Sequence, residues 1–104
     1  MPPRKLDVSA DAEQDLDEVF DYTELTWGHQ QAVLYSQSIA DVLVRLLSFP
    51  HVGRNRDDVA VELRSLSLEH YTALYRVFDD RVRIHRVIHH REDIAVALIT
   101  VDDD

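Results

Sequence analysis

The sequence predicts an α+β fold in one domain covering residues 1–104: a short N-terminal strand, an α-helical hairpin, then a three-stranded antiparallel sheet, in the order βααβββ. Apolar residues recur at helical spacing between residues 10 and 47 and at alternating spacing after Gly53, and the polar residues 54–58 mark the switch. A helix pair of this size covers one face of a small antiparallel sheet, and 104 residues with 45% apolar and 30% charged side chains suit one core.

The elements follow in order. Leu6 and Val8 alternate with polar neighbours and suggest a short first strand. Ser9 is placed to cap a helix, Asp11 and Glu13 favour its positive end, and Ala12, Leu16, Val19, Phe20 and Thr23 form its apolar stripe over about 10–25. Gly28 accepts a left-handed helix end, with Trp27 expected to fold back over the last turn. Ala32, Tyr35, Ile39, Val42, Leu43, Leu46 and Leu47 predict a second, antiparallel helix over about 29–47, stopped by Phe49-Pro50. Val61 and Leu63 alternate out of phase with Leu66 and Leu68, so a strand near 61–68 should carry a bulge around Ser65. Tyr71, Ala73, Tyr75 and Val77, the turn Asp79-Asp80, then Val82, Ile84, Val87 and Ile88 predict a β-hairpin over about 70–89. Residues 94–99 form one last short apolar element, and Asp102-Asp103-Asp104 reads as a disordered tail.

Composition excludes several chemistries. Without cysteine there is no disulfide framework, zinc knuckle or thiol nucleophile, and two glycines cannot build a phosphate loop. Met1 is followed by Pro2-Pro3-Arg4-Lys5 rather than an apolar signal core, and no apolar run is long enough to span a membrane, so a cytoplasmic protein is expected. The net charge of −9 opposes general attraction to nucleic acid. Positive charge gathers instead in residues 81–91, which hold Arg81, Arg83, Arg86, Arg91 and three histidines without a single acid.

Particular residues resemble the ParE branch of the ParE/RelE toxins of bacterial type II toxin–antitoxin modules. They are Ala12-Glu13-Gln14-Asp15-Leu16 through Phe20-Asp21-Tyr22, Trp27-Gly28 with Gln31-Ala32, and Leu47-Ser48-Phe49-Pro50-His51-Val52-Gly53-Arg54. Leu63-Arg64-Ser65-Leu66, Tyr75-Arg76-Val77 and Ile84-His85-Arg86-Val87-Ile88-His89-His90-Arg91-Glu92-Asp93 complete the set. The resemblance implies a small toxin held inactive by a ParD-like antitoxin, reaching operator DNA only through that partner, with DNA gyrase as its target. RelE-type relatives instead cut mRNA on the ribosome, and a non-toxic antitoxin-binding relative is a third possibility.

The residues weigh against the nuclease. Cleavage by 2′-hydroxyl attack needs proton-transfer groups and cations on one sheet face. Lys5 is the only lysine, Thr72 stands where RelE-type relatives carry a phosphate-binding arginine, Glu62 replaces a basic residue, and no tyrosine follows Tyr75. No catalytic residue or cofactor is expected. His85 and His89 lie about 13 Å apart along a strand and His89 and His90 point to opposite faces, so no metal is expected either. Arg81, Arg83, His85, Arg86, His89 and Arg91 are the candidate target-binding residues, with Arg81 and Arg83 facing away from Val82 and Ile84. Arg86 shares the apolar parity and should pair with Asp93 or Glu62. Arg64, Arg76, Tyr35, Ile39 and Leu43 are the candidate antitoxin-binding residues, the apolar ones forming a groove on the helices.

Overall fold

A computed structural model describes residues 3–99 of the chain. Strand β1 (Lys5–Val8) leads into helix α1 (Ala10–Trp27), helix α2 (His29–Arg45), β2 (Arg54–Asn55), β3 (Arg64–Leu68), β4 (Tyr71–Val77), β5 (Arg81–His89) and a final helix α3 (Ile94–Ile99). The segment Asp102-Asp103-Asp104 lies outside the described residues.

Ser9 starts α1 by accepting from the Ala12 N–H through Oγ at 3.0 Å, while its own hydroxyl donates to the His85 carbonyl at 2.8 Å. One residue thus caps a helix and fixes it to β5. Gly28 has φ 95°, donates its N–H to the Glu24 carbonyl and accepts from the Ala32 N–H, so a single left-handed residue ends α1 and begins α2. Trp27 does not fold back over that turn: 72% of it is exposed. Helix α2 ends at Arg45, two residues before the expected stop, because Leu46, Leu47 and Ser48 turn to bond the carbonyls of residues three earlier.

The sheet has five strands in the order β1-β5-β4-β3-β2 rather than three. The N-terminal strand joins it in parallel, with Lys5 opposite Arg81 and Val8 opposite Ile84, and the other neighbours are antiparallel. The predicted β4–β5 hairpin is present, its Asp79-Asp80 turn closed by the Phe78 N–H on the Arg81 carbonyl. The irregularity lies elsewhere than Ser65, since β3 pairs β4 without interruption from Arg64 to Leu68. Val61 and Leu63 fall in the turn before β3, where Glu62 has φ 60° and resets the phase. The bulge is in β5, because Tyr75 pairs Ile84 and Leu74 pairs Arg86, which leaves His85 as the extra residue.

Both sheet faces bury apolar side chains. The helix hairpin covers Ala73, Tyr75, Val82, Ile84 and Val87 with Ala12, Val19, Ile39, Leu43 and Leu46. Across the sheet, α3 brings Ala97 onto Leu63, Leu74 and Ile88 in a smaller cluster. Full burial of one such side chain contributes roughly 1.5–3 kcal/mol. Tyr75 is the largest wholly buried one, and its hydroxyl accepts from the Gly53 N–H at 2.9 Å and donates to the Pro50 carbonyl at 2.8 Å, which anchors the connector to the core. No helix among the described residues is long and apolar enough to cross a membrane.

Candidate functional site

Strand parity sorts the cations. Leu6, Val8, Tyr75, Val77, Val82 and Ile84 all pack toward the helix hairpin, so Lys5, Asp7, Arg76, Arg81 and Arg83 share the opposite face. His85, two residues after Arg83, shares this face, and its Nε2 lies 3.1 Å from Arg76 Nη1. A guanidinium only donates, so Nε2 accepts and the imidazole proton sits on Nδ1, a buried atom with no hydrogen-bond partner. Burial first, then the charges of Arg76 and Arg83, lowers the His85 pKa from 6.5 to about 4. This ring is neutral at physiological pH and 2% exposed, not an outward contact.

Arg81 and Arg83 have the predicted parity without the expected freedom. Asp7 of β1 takes the Arg83 Nη1 at 2.7 Å and lies 3.3 Å from the Arg81 Nε. Arg81 also reaches Asp80 at 3.1 Å and stacks over the Phe78 ring at 4.3 Å. The Arg83 side chain is only 11% exposed.

Arg86 pairs with neither Asp93 nor Glu62. Its Nε and Nη2 grip the Asp15 carboxylate of α1 at 2.7 and 3.0 Å, and its Nη1 donates to the Ala97 carbonyl at 3.0 Å. The bond to Asp15 raises the Arg86 pKa against its burial, so the guanidinium stays charged. The His89 and His90 rings stack at 4.5 Å instead of pointing apart, because the chain leaves β5 at His89 and both the N–H and Nδ1 of His90 bond the His70 carbonyl. Among the described residues no group of three or more side chains is arranged to hold a metal. Arg91 is exposed, with its backbone N–H on His89 Nδ1 at 3.2 Å.

The candidate antitoxin-binding residues also separate. Arg64 donates to the carbonyls of His51 and Gly53, Arg76 to that of Val61. Tyr35 is half-buried, its hydroxyl on the Leu68 carbonyl, and desolvation raises its pKa. Ile39 and Leu43 lie in the core, 4% and 3% exposed, and present almost no outer surface. They instead floor a groove of about 330 Å³ whose walls include Leu6, Val8, Leu16, Phe20 and Val44. The outward apolar residues Leu25 and Leu34 were not singled out from sequence. The signal for Leu25 was available, since it lies off the stripe that ends at Thr23.

Known proteins match this arrangement along most of its length. Residues 6–94 match the family described as the ParE toxin of the type II toxin-antitoxin system, parDE. Toxin ParE1 of Mycobacterium tuberculosis is 32% identical over 88 residues, 84% of this chain and 90% of that protein. Toxin ParE3 of Caulobacter vibrioides is 34% identical over 84 residues, 81% of this chain and 84% of its own. A solved structure titled "Chromosomal ParDE TA system from P. aeruginosa" superposes with a TM-score of 0.73 at 25% identity, covering 83% of this chain and 95% of the other. On these matches and this fold, the chain belongs to the ParE toxin family of type II toxin–antitoxin systems.

Proposed function

We propose that this toxin inhibits DNA gyrase in the cytoplasm without catalysing nucleic-acid cleavage, and that a ParD-like antitoxin neutralises it. The observation that carries the non-catalytic reading is the state of the basic sheet face. Arg83 is held by Asp7, while His85, the histidine beside the arginines of this face, is buried and kept neutral. A nuclease centre needs an accessible proton donor and acceptor beside cations open to the scissile phosphate. Thr72 and Glu62 supply no positive charge there, and Glu62 projects from an exposed turn.

The antitoxin reading draws support from the ParE relatives and from the ParDE title of the superposing structure. The apolar groove of α1, α2 and β1 suits a partner helix. Operator DNA is then bound by the antitoxin, since this chain carries −9. Induction of the chain without its antitoxin tests the target, with growth, DNA-damage response and mRNA integrity scored together. Filamentation with a damage response is expected; ribosome-dependent mRNA cuts would establish the nuclease, and normal growth a non-toxic binding protein.

A further inference from the structure

We infer that Arg76, braced by His85 and seated beside Arg83, forms an oxyanion site on the open sheet face that receives a carboxylate side chain of the antitoxin. The assignment of that carboxylate to the antitoxin rests on the partner reading above.

The register places Arg76 directly opposite Arg83, and like charges facing each other across an antiparallel ladder oppose pairing. Asp7 is shared between Arg83 and Arg81, and Arg81 also reaches Asp80, so these carboxylates go to the β5 arginines. Arg76 meets only neutral acceptors: its Nε donates to the Val61 carbonyl at 3.0 Å and its Nη1 to His85 Nε2 at 3.1 Å. No carboxylate among the described residues pairs with it. The two neutral contacts fix the guanidinium plane and leave the remaining N–H groups of a half-buried fork for an incoming ligand. Strand alternation makes this possible, because His85 follows Arg83 by two residues and so lies on the face that carries the β4 arginine.

A peptide carboxylate fits better than a polyanion. Nucleic acid is bound by rows of exposed cations that neutralise successive phosphates, whereas this site offers one open fork on a chain of net charge −9. Val61, whose carbonyl holds Arg76, is 77% exposed, so an apolar contact adjoins the charge. An acidic residue flanked by leucine or valine satisfies both.

The test uses the purified full-length chain labelled with ¹⁵N, observed at the Arg76 side-chain Nε–H and the His85 ring nitrogens. The probes are a short leucine-flanked peptide with a central Glu, the same peptide with Gln, and a 12-base-pair DNA duplex. Saturable shifts at both residues with the Glu peptide, at least tenfold tighter than with the Gln peptide, are expected. Read at the His85 ring nitrogens, Arg76→Gln should abolish the response, and Arg76→Lys, which keeps the charge but not the fork, should leave weaker binding; thermal melts of both variants establish that they fold. Equal response to both peptides, shifts confined to the helix groove, response to the duplex alone, or indifference to both substitutions would each overturn the site. The titration is read without toxicity, so a chain that leaves gyrase untouched in cells overturns the target and not this assignment.

Discussion

Arg86 and Asp15, 71 residues apart in sequence, meet through two hydrogen bonds of 2.7 and 3.0 Å where β1 ends and β5 continues beyond it with only β4 beside it. Asp15 also accepts the Val87 N–H at 2.9 Å, so one carboxylate replaces the missing neighbour strand for β5. Removing one partner of a buried pair leaves an uncompensated charge, which costs about 3–5 kcal/mol. Asp15→Ala is therefore expected to lower stability by about that much in urea titrations. The double change Asp15→Ala with Arg86→Met should cost less than the sum of the two single changes.

Gly53 is required for room rather than for its φ. A Cβ there would fall on the Tyr75 hydroxyl and 2.7 Å from its Cε1. Gly53→Ala is expected to destabilise by about 2 kcal/mol through overpacking. Tyr75→Phe loses the bonds to Gly53 and Pro50 and should cost about 1–2 kcal/mol. Thermal unfolding of both variants checks the pair, and a Gly53→Ala protein as stable as the parent would contradict the packing argument.

Acid sensitivity should trace to His85. The unfolded imidazole takes up a proton below about pH 6.5, while the folded one, with a pKa of about 4, does not. Its contribution to stability is thus complete above pH 6.5 and is lost as pH falls to 4, by roughly 3 kcal/mol. His85→Gln should flatten this part of the profile. Denaturation midpoints at several pH values between 7 and 4 would show it, and parallel slopes in both proteins would count against His85.

Charge reversal separates structural from surface arginines. Arg83→Glu sets a carboxylate against Asp7 on a side chain only 11% exposed and should lower the melting temperature as well as toxicity. Arg91→Glu is expected to leave stability within about 0.5 kcal/mol. Its toxicity in uninduced-antitoxin cells then reports on target contact alone; unchanged killing by Arg91→Glu would remove Arg91 from the contact.

What was legible from sequence was local. Gly28, the Ser9 cap and the alternation of residues 71–77 with 82–88 each specify their own element through adjacent residues. Partners distant in sequence were not legible: nothing near Arg86 names Asp15, and nothing near Arg81 or Arg83 names Asp7, so parity gave direction without company. The two-residue β2 is too short to leave a period, and the left-handed Glu62 imitated a strand bulge by shifting the apolar phase. His85 looked like one more basic residue of a surface strand because nothing beside it in sequence names Arg76, which lies 3.1 Å from its ring.

The parallel pairing of β1 with β5 governs the order in which the molecule can assemble. The helix pair and the β4–β5 hairpin are built from neighbours and can form early, whereas Asp7 finds Arg83 only across 76 residues. Closing so long a loop costs entropy before any contact repays it, so the first strand to leave the ribosome is expected to be the last to dock. Until it does, the outer edge of β5 is bare and able to recruit a foreign strand. A chain cut after Val8 would keep both hairpins and lose solubility, an aggregation defect arising from a missing edge rather than from a damaged core.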